Sequence, residues 1–343
     1  MDQCGKADAS PLDSAAVPAI PFPERIASLP KAELHVHLEG SIRPQVACAL
    51  AARHGVKLSE DEVRQRYTYT NFAGFLDAFK WVTSFLNDPA DFGMVAADLA
   101  EQLLEQKVVY AEVTLSVGVM YRRQLRAEAN FEAIAKATQP HEKRGLRMNW
   151  VFDAVRQFGG DAAMQVVEAA RRCQSRRIVA FGIGGDEMSL ATSEFRRVYE
   201  RAAEYGFHRL MHAGEIGGPE KIREAIELLG VERIGHGIAA VHDEGLIELL
   251  AERGIPLEVC PWSNVHTGAL GLQRGNRAAT IKEHPLPELV RRGVPVTLST
   301  DDPAMFHTSL AEEYRQAHAM GLTEEELAGL VENGFRYAFG QTK

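Results

Sequence analysis

Residues 178–187 read IVAFGIGGDE, 208–215 HRLMHAGE, 233–240 RIGHGIAA, 255–264 IPLEVCPWSN and 294–302 VPVTLSTDD. Each stretch carries strand-like apolar residues and closes on polar or glycine-rich residues. Three upstream segments, Lys31–His37, Val108–Leu115 and Leu146–Val155, have the same strand character. With Ile178–Gly185, His208–Glu215, Arg233–Ala240, Ile255–Asn264 and Val294–Asp302 they make eight predicted strands. Amphipathic stretches lie between most of them. Ser193–Tyr205 spaces Phe195, Val198, Tyr199 and Ala202 at helical intervals. Pro219–Leu229 has proline in its first turn and Gly230 after its end, and Asp243–Arg253 stops before Gly254.

From the second strand on, strand starts recur every 22 to 39 residues, the cadence of strand–helix units in a parallel sheet. Eight such units predict an α/β fold, a closed (β/α)8 TIM barrel. The first interval, from 31 to 108, is longer and carries Phe72, Phe75, Leu76, Phe79, Trp81, Phe85 and Leu86. It is expected to supply extra lid helices, inserted after the first strand and placed over the barrel mouth. A doubly wound open sheet is the alternative, but its G-x-G-x-x-G fingerprint is missing, as is a Gly-Lys-Ser/Thr phosphate loop.

The 343 residues are within the range of one such barrel. Apolar residues at 45% and charged residues at 25% exclude pervasive disorder and a collagen-like fibre. Lys and Arg number 38 against 47 Asp and Glu, a net charge of −9 that disfavours nucleic acid and anionic membrane as partners. Cys4, Cys48, Cys173 and Cys260 are widely spaced and read as reduced thiols. There is no secretory signal pattern and no apolar run of spanning length, so a cytoplasmic protein is expected. Residues 1–22 read as a mobile tail, and 23–343 as one domain.

The polar residues cluster at the carboxyl ends of the predicted strands, where barrel enzymes place their active sites. His35 and His37 alternate onto one face. His212 ends the fifth strand and Asp301 the eighth. Three imidazoles and one carboxylate suit zinc, with iron as a competitor. Such a metal brings the pKa of bound water to ~7 from 15.7 and opens hydrolysis at neutral pH. Glu215, three residues past His212, is placed to shuttle protons, and His236 between two glycines to orient or deprotonate water. Asp302 is placed to hold a substrate atom. Each also has a plain structural use: Glu215 as a helix cap, His236 as a packing residue, Asp302 as the cap of the turn before Pro303.

The blocks LPKAELHVHLEGS, FGIGGDE, HAGE, RIGHG, CPWSN and STDDPAMF, in this order, resemble the adenosine deaminase family from about Pro23 to Phe339. The resemblance implies hydrolytic replacement of a purine 6-amino group by oxygen. It implies one zinc per chain on His35, His37, His212 and Asp301, with iron or cobalt compatible with the same donors. It further implies that Glu215 protonates N1 while water attacks C6, that His236 positions and helps deprotonate that water, and that Asp302 hydrogen-bonds N7. Gly185 would meet N3 through its backbone, and Phe75 and Phe79 would form the apolar lid. The cysteine-ligand motif of cytidine-type zinc deaminases is absent.

One departure concerns substrate. Where adenosine deaminases have HLDG, this chain has His37-Leu38-Glu39-Gly40. By alternation Glu39 is expected to face the pocket, and its extra methylene is worth ~1–3 kcal/mol of discrimination at the ribose. HLEG is similar to adenine deaminases and to aminodeoxyfutalosine deaminases. The adenine group carries Ser-Ser-Glu after the fourth strand, where this chain has Gly184-Gly185-Asp186-Glu187. FG-x-GG and RIGHG resemble the aminodeoxyfutalosine group, and Asp186-Glu187 the adenosine group. The ranking is a small-molecule 6-aminopurine nucleoside, adenosine or deoxyadenosine first, aminodeoxyfutalosine as the alternative, adenine third. Arg122, Arg123 and His266 are candidates to meet a carboxylate on a 5′ substituent. A two-metal barrel hydrolase would need a bridging lysine at the end of the fourth strand, and none is there. A catalytically dead binding protein would lack a ligand or Glu215, and both are present.

Overall fold

The computed structural model describes residues 21–174 and 177–340. Eight strands pair in parallel in the order β1 to β8. They are β1 Lys31–His37, β2 Val108–Leu115, β3 Arg147–Val155, β4 Ile178–Gly184, β5 His208–Ala213, β6 Arg233–His236, β7 Leu257–Val259 and β8 Val296–Leu298. The ring closes between first and last strand: His37 N–H donates to the Asp301 carbonyl at 2.7 Å, and Asp301 N–H to the His35 carbonyl at 2.9 Å. This is the predicted (β/α)8 barrel. Residues 1–20 of the expected tail, with Cys4, lie outside the described residues, while Phe22 packs edge-on against His318.

The predicted strands run too long at their carboxyl ends. β6 stops at His236 (φ 61°), and β7 gives way to the helix Pro261–His266, which starts on a proline at its first turn. These ends leave the sheet because their side chains form the site. The helices start and stop where their caps predict. Asp243 accepts from Leu246 N–H at 3.0 Å, and Gly230 and Gly254 take left-handed φ at helix ends. Ser193–Tyr205 splits into a short 3₁₀ turn, Thr192–Phe195, and the helix Arg196–Glu204.

The interval after β1 holds four helices, Pro44–Arg53, Glu60–Arg66, Phe72–Thr83 and Pro89–Glu105. The third, capped by Asn71 accepting from Gly74 N–H at 2.9 Å, brings Phe72, Phe75, Leu76 and Phe79 to the cavity. It is the lid.

Side chains from neighbouring and from distant strands meet inside the barrel. Arg233 of β6 pairs with Glu112 of β2 at 2.6 Å and with Glu258 of β7 at 2.5 Å. Glu258 in turn meets His35 Nδ1 of β1 at 2.8 Å. All four are buried. The carboxyl end of the chain closes this floor. The Phe339 ring centroid lies 3.6 Å from the Arg233 guanidinium, the Tyr337 carbonyl accepts from Arg233 at 2.9 Å, and Phe339 N–H donates to Glu112 at 2.6 Å. Among the described residues no helix is long and apolar enough to cross a membrane.

Candidate active site

Four imidazoles converge at the carboxyl ends of β1, β5 and β6. The His35 ring centroid lies 5.3 Å from that of His37, 4.6 Å from His212 and 5.1 Å from His236. Asp301 sits among them: Oδ1 is 3.3 Å from His37 Nε2 and 3.5 Å from His35 Nε2, and Oδ2 is 3.8 Å from His236 Nε2. Its other partner is the Ser263 hydroxyl, which donates at 2.7 Å. His236 and Asp301 both hold left-handed φ, 61° and 64°. That is a strained choice for side-chain-bearing residues and turns both inward.

This donor set fits a divalent cation. His35, His212, His236 and Asp301 offer atoms that all lie within 4.8 Å of one another, and His37 joins through Asp301. Burial lowers the pKa of His37 to about 4 and of His236 to about 3, and holds His212 well below the ordinary imidazole value. Neutral rings present lone pairs. His35 differs: burial pulls it down, but the Asp301 and Glu258 carboxylates outweigh that and carry it up to about 10. Its Nε2 is buried without a hydrogen-bond partner. The two carboxylates favour positive charge at that point, and a cation bound there would take the place of the ring proton. Glu258 on Nδ1 fixes the ring so that Nε2 faces Asp301.

Two carboxyls beside Asp301 are shifted upward. Burial, then the charges of Asp301 and Glu187, raise Glu215 to about 8. Burial and the adjacent Asp301 charge push Asp302 well above the carboxylate range. Glu215 is therefore an O–H donor at neutral pH. Asp302 depends on Gly40, where a Cβ would fall 1.7 Å from Asp302 Oδ1.

The cavity has a volume of about 370 Å³. At its inner end lie His37, His212, Glu215, His236, Asp301 and Asp302, and along its walls Phe75, Phe79 and Gly185. Gly185 has φ 95°, and a Cβ there would strike Gln157 Oε1 at 2.5 Å. The structure thus brings together every sequence-predicted site residue except Glu39. Glu39 lies beyond the end of β1, as the first residue of a 3₁₀ turn, and is not on the cavity surface. Its Oε1 accepts from Ser116 N–H at 3.0 Å, and its buried Oε2 has no partner. Strand alternation does not extend past His37, so the placement of Glu39 is set by the 3₁₀ turn and not by the strand.

Glu187 and Asp153 are among the residues missed. Glu187 accepts from the N–H groups of Gly214, Glu215, Ile216 and Gly217, at 2.5, 3.2, 3.0 and 2.9 Å. It clamps the loop that carries Glu215. Asp153, at the end of β3, lines the cavity, and burial raises its pKa to about 8. Its Oδ1 and the Nδ1 of His212 are both buried without partners. They flank Gly184, where a Cβ would lie 3.2 Å from that Nδ1 and 3.3 Å from Asp153 Oδ2. An acid inside the apolar run WVFDAV was the available signal.

With this geometry in place, the comparisons are decisive. The adenosine deaminase family model matches residues 30–343. The chain belongs to the adenosine deaminase family. It is 39% identical over 321 residues to the aminodeoxyfutalosine deaminase of Streptomyces coelicolor, covering 92% of this chain and 81% of that one. It is 31% identical to the adenine deaminase of Rhizobium meliloti, covering 91% and 95%. The crystal structure of adenine deaminase from Arthrobacter aurescens superposes with a TM-score of 0.84 at 31% identity, covering 91% and 94%. The chain is therefore a hydrolytic deaminase of a metal-dependent family, acting on a small-molecule purine.

Of the cations considered for a 5′ carboxylate, two are committed elsewhere. Arg123 donates to the carbonyls of Thr83, Leu86 and Ser84 and to Asn87 Oδ1. His266 lines a separate hollow with Trp262 and Phe306. Arg122 lines the main cavity, its guanidinium 5.6 Å from the Phe158 ring centroid. Among the described residues no hydrogen bond or ion pair engages it.

Proposed function

We propose that this enzyme deaminates a 6-aminopurine nucleoside carrying a carboxylate on an extended 5′ substituent, the class to which aminodeoxyfutalosine belongs. The observation that carries the reading is the outer end of the cavity, where Arg122, unpaired among the described residues, lies over Phe158. A free adenine base would leave that end empty, and adenosine would offer it only a hydroxyl. The 39% and 38% identity to two Streptomyces aminodeoxyfutalosine deaminases supports the same choice over the adenosine ranked first from sequence.

In this reading His35, His37, His212 and Asp301 hold one divalent metal, zinc by donor type, with iron or cobalt compatible. When bound, the metal lowers the pKa of water toward ~7 and supplies a nucleophile at neutral pH. The purine enters with C6 toward His236 and Asp301. Asp302, protonated, donates to N7. Glu215, also protonated, gives its proton to N1 as the water oxygen bonds to C6, which relieves the charge that attack places in the ring. One proton of the water then restores Glu215 and the other passes to the amino group; the C6–N bond breaks with its electron pair going to nitrogen, and ammonia leaves behind a C6 carbonyl with the proton on N1. Phe75 and Phe79 cover the base and exclude water.

Arg122→Ala tests the substrate. An exposed charge-assisted contact is worth about 1–2 kcal/mol, so KM for aminodeoxyfutalosine should rise about five- to thirtyfold while adenosine kinetics stay unchanged. Equal effects on both substrates, or on neither, would remove Arg122 as the carboxylate anchor.

A further inference from the structure

A directed chain of hydrogen bonds enters the site from behind β7 and decides which nitrogen of His236 carries the proton. It starts at a group that can only donate. The backbone N–H of Leu286 lies 3.1 Å from His284 Nδ1, so Nδ1 accepts. His284 is buried, and burial with the nearby Arg274 charge keeps the ring neutral. Its proton therefore sits on Nε2, which lies 3.1 Å from Asn264 Oδ1. With its oxygen engaged as the acceptor, fully buried Asn264 turns its amide nitrogen to His236 Nδ1, at 3.1 Å. That nitrogen donates, so His236 Nδ1 accepts. With Nδ1 accepting, the ring proton is on Nε2, which points between Glu215 Oε2 at 3.7 Å and Asp301 Oδ2 at 3.8 Å.

We propose that Asn264 and His284 are positioning residues for the deamination: together they fix His236 as its Nε2–H tautomer, so that in the resting enzyme it meets the attacking water as a hydrogen-bond donor and not as a base. Neither lines the cavity, so both act through His236. The inference rests on the deaminase chemistry of the site and is independent of the 5′ substituent.

Asn264→Asp reverses the polarity of one link while nearly preserving shape. A carboxylate accepts from both neighbours, which moves the His236 proton to Nδ1 and leaves Nε2 as an acceptor. A wrong histidine tautomer can cost ~10⁴ in kcat at a catalytic site. Here kcat should fall at least about 100-fold, with KM within about threefold and circular dichroism unchanged. Asn264→Ser, which imposes no reversed polarity, should lose less. Nitrogen-15 NMR of the metal-loaded wild-type enzyme should show His236 Nδ1 unprotonated and Nε2 protonated, and this reading stands even if Asn264→Asp does not fold. Full kcat in Asn264→Asp, or a protonated Nδ1 in the wild type, would overturn the proposal. A failure of the deaminase reading itself would look different, because wild-type enzyme would then release no ammonia from any 6-aminopurine.

Discussion

Replacing Glu187 by glutamine isolates the clamp beneath Glu215. The native carboxylate receives four backbone N–H groups from residues 214–217, at 2.5 to 3.2 Å. Oε1 takes only the Gly214 N–H and Oε2 the other three, so the least costly carboxamide keeps its oxygen at the Oε2 position and turns its NH2 group to the Gly214 N–H. A buried donor left unpaired costs about 1–3 kcal/mol, so the loop is destabilised by at least that much. His212 belongs to β5 and should keep its place, so metal content should hold at the wild-type stoichiometry. Glu215 sits inside the clamped loop. If about 1.4–2.7 kcal/mol of the loss appears as misplacement of its carboxyl, kcat falls ten- to a hundredfold. Loss of the Glu187 charge also removes one of the influences that raise the Glu215 pKa, so the alkaline limb of the kcat profile should move to lower pH. The assay is steady-state ammonia release from pH 5 to 10, with metal analysis of the same samples. Wild-type kcat with an unmoved alkaline limb would refute the clamp.

Glu215 itself should set an alkaline limb. Its carboxyl is raised from 4.5 to about 8, so the donor form persists below that value and the rate should fall as pH rises through it. A flat profile to pH 10 contradicts the assignment. The same shift makes the folded state hold a proton that the unfolded chain releases above about 4.5, so this group's contribution to stability declines between there and about pH 8. Glu215→Gln should lose ~10²–10⁴ in kcat while keeping metal, and thermal unfolding should show it gaining on wild type at pH 9 relative to pH 4. At the barrel floor, Phe339→Ala should loosen Arg233 and, through Glu258, His35. Direct partners of metal-ligating histidines are worth ~10–100-fold in metal affinity, so this more distant change should speed metal loss to a chelator about three- to tenfold. An unchanged rate would confine Phe339 to a structural role.

Much of this was legible because it is local. His35 and His37 share a strand face by alternation, Gly230 and Gly254 end helices by φ, and eight apolar segments at regular spacing imply the barrel. What was not legible depends on contacts between distant strands. Glu258 meets His35 across 223 residues, and Glu187 reaches the 214–217 loop from the preceding strand–loop unit. Nothing in the local sequence marks either pairing. The alternation argument for Glu39 reaches past the point where β1 ends and a 3₁₀ turn begins. Arg122, Arg123 and His266 were indistinguishable as cations, and only their partners separate them.

The most direct measurement is ammonia release by purified, metal-quantified enzyme given aminodeoxyfutalosine, adenosine and adenine side by side. The account predicts one metal per chain and a kcat/KM for aminodeoxyfutalosine well above that for adenosine, with adenine slowest. Preferred turnover of adenine would contradict the account, because the Arg122 end of the cavity would then have no role in substrate recognition.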